Sequence, residues 1–180
     1  RTGSGELDRV LGGGLVPGSA VLVGGDPGIG KSTIALQLAG GVAASAKRAV
    51  LYVAGEEAPA QVKLRAARLG IGGEGILVLA ATDTPAIVAA IREHSPIVAI
   101  IDSVQTVYTP RIESAPGSVG QLREATAELV TAAREHGADL VGVSYRLTPE
   151  TGERLLADFA EAADDLRCAG ELGTRHGHDH

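Results

Sequence analysis

The chain has 180 residues, enough for one domain with its own hydrophobic core. Its apolar residues are almost all Val, Ile, Leu and Ala, with three Tyr, one Phe and no Trp, a composition that favours a parallel α/β sheet over an all-β sandwich. The formal net charge of −6 excludes a general electrostatic attraction to nucleic acid, and the single cysteine, Cys168, excludes an internal disulfide framework.

Apolar and helical patterns alternate along the chain, as they do in parallel-sheet proteins. A glycine-rich opening with Leu7, Val10 and Leu11 at helical spacing predicts a short first helix. Short apolar runs then predict buried strands at 20–23, 49–54, 76–80, 97–101 and 139–143. Periodic apolar positions between them predict helices at 31–46, 61–69, 84–94 and 119–136. Right-handed crossovers then predict an α/β fold with a mostly parallel central β-sheet and helices on both faces.

The chain shows no internal linker, so we expect one domain over residues 1–172 and a flexible tail over residues 173–180. It contains no apolar run of about 18 residues, and its first residues lack the basic-then-apolar layout of a signal peptide. The sequence therefore predicts a cytoplasmic protein with no membrane partner.

A complete phosphate-loop pattern, G-x-x-x-x-G-K-[ST], lies between the first predicted strand and the helix that follows it. Its glycines allow main-chain N–H groups to turn toward phosphate oxygens, and the start of the helix adds a positive dipole. Lys31 would neutralise phosphate charge in binding and catalysis, and Ser32 would offer its hydroxyl to Mg²⁺. The pattern predicts that ATP is held by Gly25, Asp26, Pro27, Gly28, Ile29, Gly30, Lys31, Ser32 and Thr33.

Asp102 ends the apolar run Val98-Ala99-Ile100-Ile101, the Walker B pattern of a strand that delivers a carboxylate to Mg²⁺. Taken alone, such an aspartate is more often a helix cap or part of a turn. Together with the phosphate loop, it is interpreted as the second metal-site residue, with Mg²⁺ held through water.

Hydrolysis needs a group that orients or deprotonates water, and Glu56 and Glu57 follow the second predicted strand. Strand ends at this edge of a parallel sheet collect ligands. Glu56 is predicted to be the catalytic base, with Glu57 as polar support. The alternative is that both carboxylates only cap the helix that starts near Pro59.

With these patterns in place, the chain resembles the ATPase domain of the RadA (Sms) family of bacterial DNA repair proteins, within the RecA superfamily. The resemblance rests on TGSGELDRVLGGGLVPGS, GGDPGIGKST, LYVAGEEAPAQVKLRAARLGI, IIDSVQTVYTP and SAPGSVGQLREATAEL, and covers residues 2–136. It implies a RecA-like P-loop NTPase fold and an ATP-dependent motor or sensor that acts on single-stranded or branched DNA. It also implies a homo-oligomeric ring, with a hexamer as the expected size.

The same resemblance implies roles for several residues. Glu56 corresponds to the catalytic glutamate, Asp102 to the Walker B acid, and Gln105 to a polar sensor. Residues 108–120 correspond to a loop that faces the channel of the ring, where Arg111 and Arg123 are possible DNA contacts. On general grounds both arginines could equally be solvated surface residues.

The chain departs from the family pattern in three places. It lacks the four-cysteine zinc module that precedes the ATPase domain and the KNRFG motif and protease-like domain that follow it. After Val143 the family has a histidine and a basic, glycine-rich segment, whereas this chain continues Ser144-Tyr145-Arg146-Leu147. Two alternatives therefore stay open: a KaiC-like regulatory ATPase with protein partners, and a nucleotide-binding domain with little hydrolysis.

Overall fold

The computed structural model describes residues 1–144 as a five-stranded parallel sheet with helices on both faces. The strands are β1 (Ala20–Gly24), β2 (Val50–Ala54), β3 (Ile76–Ala80), β4 (Val98–Asp102) and β5 (Asp139–Ser144). The helices are α1 (Gly5–Val10), α2 (Lys31–Ser45), α3 (Pro59–Arg68), α4 (Thr84–His94) and α5 (Val119–Glu135), with a 3-10 helix at Val104–Thr106. The predicted α/β class and the mostly parallel sheet are confirmed.

The strands are ordered β1-β5-β4-β2-β3 across the sheet, and every neighbouring pair is parallel. All residues of β2, β4 and β5 are buried, whereas the edge strands β1 and β3 are only partly buried. Strands buried on both faces appear in the sequence as continuous apolar runs. The bounds predicted from these runs therefore agree with the observed strand bounds to within about one residue.

Two hydrophobic cores lie on opposite faces of the sheet, because successive strand residues point to opposite sides. Tyr52 and Ile100 pack on the face covered by α2 and α3. Leu51, Val53 and Ile101 pack on the face covered by α4 and α5. The two layers of helices confirm the arrangement that right-handed crossovers predict.

Local signals fix where the helices start. Asp83 caps α4 by accepting a hydrogen bond from the main-chain N–H of Ala86, and Ser118 caps α5 in the same way through Gln121. α3 begins at Pro59, two residues earlier than predicted, because proline is well suited to the first helical turn. The short first helix is present as α1, capped by Ser4.

The predicted domain of residues 1–172 and the tail of residues 173–180 reach beyond the described residues. Cys168 and the divergent segment from Tyr145 onward also lie outside them. Of the helices in residues 1–144, none combines the length and the apolar character that a membrane crossing requires.

A buried carboxylate lies at the end of the sheet opposite the phosphate loop and Asp102. Asp139, the first residue of β5, accepts hydrogen bonds from the main-chain N–H groups of Gly18 (2.7 Å) and Ser19 (3.3 Å). Burial raises the pKa of the Asp139 carboxyl, although these two hydrogen bonds act in the opposite direction. The folded chain therefore holds a proton on Asp139 more tightly than the unfolded chain does.

We predict that Asp139→Asn becomes more favourable relative to the natural chain as the pH rises. The raised pKa gives Asp139 a contribution to stability that is present below its unfolded pKa and is lost as the pH rises through the folded pKa. Asparagine keeps an acceptor oxygen for the two N–H groups and carries no charge. Urea unfolding at about pH 4 and about pH 7 should show the difference in free energy of unfolding shift in favour of the variant.

Asp8→Asn is the control with the opposite sign. Asp8 accepts hydrogen bonds from the N–H and the hydroxyl of Thr2, both at 2.7 Å, and these bonds lower the pKa of its carboxyl. Its contribution is present above its unfolded pKa and is lost as the pH falls through the folded pKa. The Asp8 variant should thus be at a disadvantage near neutral pH that fades in acid. If both variants respond to pH in the same direction, the assignment for Asp139 is wrong.

Candidate nucleotide-binding site

The predicted phosphate loop connects the end of β1 to the first residue of α2. Gly28 (φ 81°) and Gly30 (φ 98°) take left-handed backbone angles that other residues rarely adopt. Gly30 is also the N-cap of α2, so no side chain at this position accepts hydrogen bonds from the first-turn N–H groups. A loop of this shape leading into a helix N-terminus is suited to bind an anion.

Lys31 lies inside this loop. It is only 3% exposed, and its Nζ donates hydrogen bonds to the main-chain oxygens of Gly25 (2.6 Å) and Asp26. The loop thereby encloses an ammonium group at the start of a helix. Ser32 and Thr33 follow in the first turn of α2 and are partly buried.

Asp102 is the last residue of β4 and is 9% exposed. The parallel register places Asp102 beside Ala54 of β2 and beside Val143 of β5, and Gly24 of β1 lies beside Ser144. β5 therefore separates the strand of the phosphate loop from the strand of Asp102, a distance of about 10 Å across two strand spacings. The loop and the carboxylate occupy the same edge of the sheet.

Glu56 comes two residues after β2, next to the residue that follows Asp102. Its Oε1 accepts a hydrogen bond from the Ser103 hydroxyl (3.3 Å), and the N–H of Gly55 donates to the main-chain oxygen of Asp102 (2.8 Å). The Glu56 side chain is exposed at this edge. The two segments that carry the predicted acidic residues are thus joined directly.

Glu57 has a different environment from Glu56. Its carboxylate forms an ion pair with the Arg65 guanidinium of α3, and the N-cap of that helix is Ala58, which has no polar side chain. The alternative that Glu57 caps this helix therefore does not describe the structure. Its ion pair joins the segment before α3 to the last turn of that helix, and Glu56 is left as the exposed carboxylate.

Gln105, predicted as a sensor, lies in the 3-10 helix after Asp102. Its Nε2 donates a hydrogen bond to the Ser144 hydroxyl at the end of β5. Thr106 donates from its hydroxyl to the main-chain oxygen of Ser103 (2.7 Å). The Gln105 bond ties the segment after β4 to the end of β5, and the Thr106 bond closes the 3-10 turn itself.

Sequence reasoning missed two residues that hold the predicted channel loop in place. Gln121 of α5 is 2% exposed; its Oε1 accepts from the N–H of Thr109 (2.8 Å), and its Nε2 donates to the main-chain oxygens of Thr109, Ile112 and Ser114. Glu128 lies two turns further along the same helix. A buried glutamine beside the apolar stripe of α5 is the one signal that could have indicated this role.

Glu128 collects three donors on its carboxylate. The hydroxyls of Thr84 (2.6 Å) and Thr109 (2.7 Å) donate to it, and Arg111 Nε lies 3.2 Å from its Oε1. The Arg111 side chain is 69% exposed, and Arg123 is also exposed. The loop therefore presents Arg111 to solvent while its own backbone is held in place, and Arg123 is exposed on the adjoining helix α5.

The donor set at the sheet edge fits Mg²⁺ and phosphate. Ser32 and Asp102 supply a hydroxyl and a carboxylate, which are hard oxygen donors of the kind that Mg²⁺ prefers. Lys31 and the glycine loop supply the positive charge and main-chain donors that phosphate requires.

The fold and the loop define a P-loop NTPase of the α/β type. A family model described as an AAA domain matches residues 5–145, and the chain belongs to this family. A solved structure of a KaiC-like protein from Pyrococcus horikoshii has a TM-score of 0.67 at 21% identity, covering 81% of this chain and 69% of that one. This likeness supports the RecA-like fold.

The predicted resemblance to the RadA family is also confirmed. The chain is 50% identical over 164 residues to the DNA repair protein RadA of Bacillus subtilis, covering 89% of this chain and 35% of that protein. It is 49% identical over 144 residues to RadA of Pseudomonas aeruginosa (80% and 31%) and 46% identical over 172 residues to RadA of Aquifex aeolicus (94% and 38%). The chain spans about a third of the length of these relatives.

We predict that Gly55→Ala destabilises the chain by about 1–3 kcal/mol, the usual range for overpacking. An added Cβ would lie 2.0 Å from Thr106 Oγ1 and 3.0 Å from Thr106 Cβ, so the 3-10 helix or the Gly55–Glu56 segment has to move. Thermal or urea unfolding measures the loss.

The control is Gly72→Ala, where an added Cβ has no neighbour within 4 Å and the backbone angle is ordinary. Thr106→Ala in the Gly55→Ala background removes the shortest contact and should restore part of the loss, giving a favourable coupling energy in a double-mutant cycle. Equal stability of the two glycine variants would contradict the packing described here.

Proposed function

We propose that the chain binds ATP with Mg²⁺ and hydrolyses it, as the ATPase unit of a cytoplasmic protein that acts on single-stranded or branched DNA during repair. The proposal rests on one observation: the loop around Lys31, the carboxylate of Asp102 and the exposed carboxylate of Glu56 meet at one edge of the sheet. Ligands of open α/β sheets bind at this edge.

In this proposal, Gly25–Thr33 surround the phosphate chain of ATP. Main-chain N–H groups of the loop and the N-terminus of α2 stabilise the negative charge of the phosphates. Lys31 exchanges its contacts with loop carbonyls for contacts with phosphate oxygens. Ser32 and Asp102 would hold Mg²⁺, which, when bound, offsets the charge that develops on the phosphates. Thr33 extends the binding surface by one residue.

Glu56 is proposed as the base. Its carboxylate is exposed at the edge, and the Ser103 hydroxyl fixes one of its oxygens. A carboxylate held in this way can accept a hydrogen bond from a water molecule and take its proton as the water attacks phosphorus. Gln105, held by Ser144, is positioned between the ends of β4 and β5, where it can report on the nucleotide.

The DNA-directed part of the proposal is supported by the relatives named as DNA repair proteins and by the loop described above. Arg111 and Arg123 are exposed, which suits contacts with phosphates in an otherwise acidic chain. A ring of six copies is proposed from the sequence resemblance, and it would place such loops around a common channel. The chain spans about a third of the length of these relatives, so action on DNA is proposed for it by similarity.

A KaiC-like regulatory ATPase with protein partners is the second candidate, favoured by the solved structure of a KaiC-like protein and by the net charge of −6. A nucleotide-binding domain with little hydrolysis is the third, favoured by the divergent sequence after Val143. The three candidates differ in what an assay would show. The DNA repair ATPase predicts ATP turnover stimulated by DNA, the regulatory ATPase predicts ATP-dependent assembly without a DNA effect, and the nucleotide-binding domain predicts tight ATP binding without turnover.

We predict that Lys31→Ala abolishes the thermal stabilisation that Mg²⁺ and ATP give to the natural chain. Saturating ligand at about 100 times its dissociation constant stabilises a fold by about 2.7 kcal/mol, and the variant loses the buried ammonium that binds phosphate. Glu56→Gln should keep the stabilisation and lose turnover. Glu57→Gln is the matched control, since its carboxylate is committed to Arg65, and it should keep both. Turnover that survives in Glu56→Gln shows that another group is the base.

We further predict that single-stranded DNA raises ATP turnover. Arg111→Ala should weaken DNA binding and leave the affinity for ATP, measured without DNA, unchanged. Loss of one phosphate contact should reduce the slope of log affinity against log salt by about 0.7. Arg68→Ala is the control, because this exposed arginine lies on α3, on the other face of the sheet. A natural chain whose turnover and assembly ignore DNA would instead favour the regulatory candidate.

A further inference from the structure

Tyr52 in the middle of β2 has the largest fully buried side chain of residues 1–144, 1% exposed, and its hydroxyl donates a hydrogen bond to Asp102 Oδ2 at 2.6 Å. We infer that Tyr52 is a positioning residue for the Mg²⁺–nucleotide site, which fixes the carboxylate of Asp102. This inference rests on the proposed function of that carboxylate.

The strand register makes this contact possible. Tyr52 lies beside Ile100, and Ala54 lies beside Asp102, so all four residues share one face of the β2–β4 pair. On the β2 side, the side chain directly beside Asp102 is only the methyl group of Ala54. The Tyr52 ring therefore reaches diagonally across about 8 Å between backbones, a distance that an aromatic side chain spans.

The hydrogen bond between Tyr52 and Asp102 is of a kind that can fix the orientation of the Asp102 carboxylate. Hydrogen bonds from a hydroxyl to an ionised carboxylate are short, 2.5–2.7 Å in general, and about twice as strong as neutral ones. Rotating the Asp102 side chain would break this bond and leave a buried phenol hydroxyl without it, which is costly. The carboxylate is thus restrained before any metal binds.

A structural role alone would also connect a buried hydroxyl to a carboxylate. Both readings predict some loss of stability when the hydroxyl is removed, so unfolding experiments do not separate them. They differ in the effect of Mg²⁺. A residue that positions a metal ligand changes metal-dependent binding, typically by 10–100-fold, whereas a purely structural residue changes binding with and without metal alike.

The test is Tyr52→Phe, which removes one oxygen and keeps the ring. The affinity of a non-hydrolysable fluorescent ATP analogue is measured in EDTA and across a Mg²⁺ titration. We expect unchanged affinity in EDTA and a loss of roughly 10-fold or more in the gain that Mg²⁺ provides. Thr131→Val is the control, because the Thr131 hydroxyl donates to the main-chain oxygen of Ala127 within α5 (2.8 Å), and it should match the natural chain in both conditions.

Asp102→Asn sets the scale of the full effect. In the double variant Tyr52→Phe/Asp102→Asn, removal of the hydroxyl should cost nothing further in Mg²⁺-dependent affinity, because the two residues act through one carboxylate. A natural response of Tyr52→Phe to Mg²⁺ overturns the inference, as do additive losses in the double variant. A natural chain that gains no affinity from Mg²⁺ refutes the proposed function itself.

If the Tyr52→Phe variant does not fold, a second measurement tests the same inference. Site-specific 3-fluorotyrosine at position 52 keeps the hydroxyl and supplies a ¹⁹F resonance. We expect this resonance to shift when Mg²⁺ is added to the nucleotide complex and to stay in place when nucleotide is added in EDTA. A resonance that does not respond to Mg²⁺ contradicts a role for Tyr52 at the metal site.

Discussion

The candidate site depends on the register of the parallel strands. Pairing of β1 with β5, β5 with β4 and β4 with β2 places Gly24, Asp102 and Ala54 at one edge. A slip of one residue in β4 would turn every side chain of that strand to the opposite face. Asp102 would then point toward the apolar cluster under α4 and α5 and lose the Tyr52 hydroxyl, at the cost of burying a charge among apolar groups. The same constraint therefore selects the fold and assembles the site.

Contacts at the amino-terminal ends of the strands stabilise this register. The Arg48 guanidinium donates to the main-chain oxygens of Ser95, Pro96, His136 and Gly137, with distances of 2.7–3.1 Å. These four residues immediately precede β4 and β5, so one side chain fixes where both strands begin. Because parallel strands rise in step, fixing their starts also fixes which residues reach the opposite edge. A positive group far from the phosphate loop thus contributes to the alignment of Asp102.

Sequence alone predicted well the strands, the helices and the place of the glycine loop between β1 and α2, and it predicted the tertiary contacts poorly. Buried parallel strands appear as apolar runs and the loop as an eight-residue pattern, so both are local signals. The position of β5 between β1 and β4, and the bond from Tyr52 to Asp102, depend on residues 41 or more apart in the chain. Gln121 was missed because its amide pairs with main-chain groups of a loop, which no pattern encodes.

The segment from Asp102 to Gln121 connects the candidate nucleotide edge with the arginine-bearing loop. For the two ends to influence each other, this segment has to adopt two arrangements that differ at both ends. The Gln121 amide opposes independent movement of its end, because its hydrogen bonds to Thr109, Ile112 and Ser114 would break together. Residues 103–107 are anchored in the core by Val104 and Val107, and their polar contacts to the neighbouring strand ends are single side-chain hydrogen bonds, from Ser103 to Glu56 and from Gln105 to Ser144. We therefore expect any rearrangement to occur in the 3-10 helix and to carry the loop with it as a rigid piece.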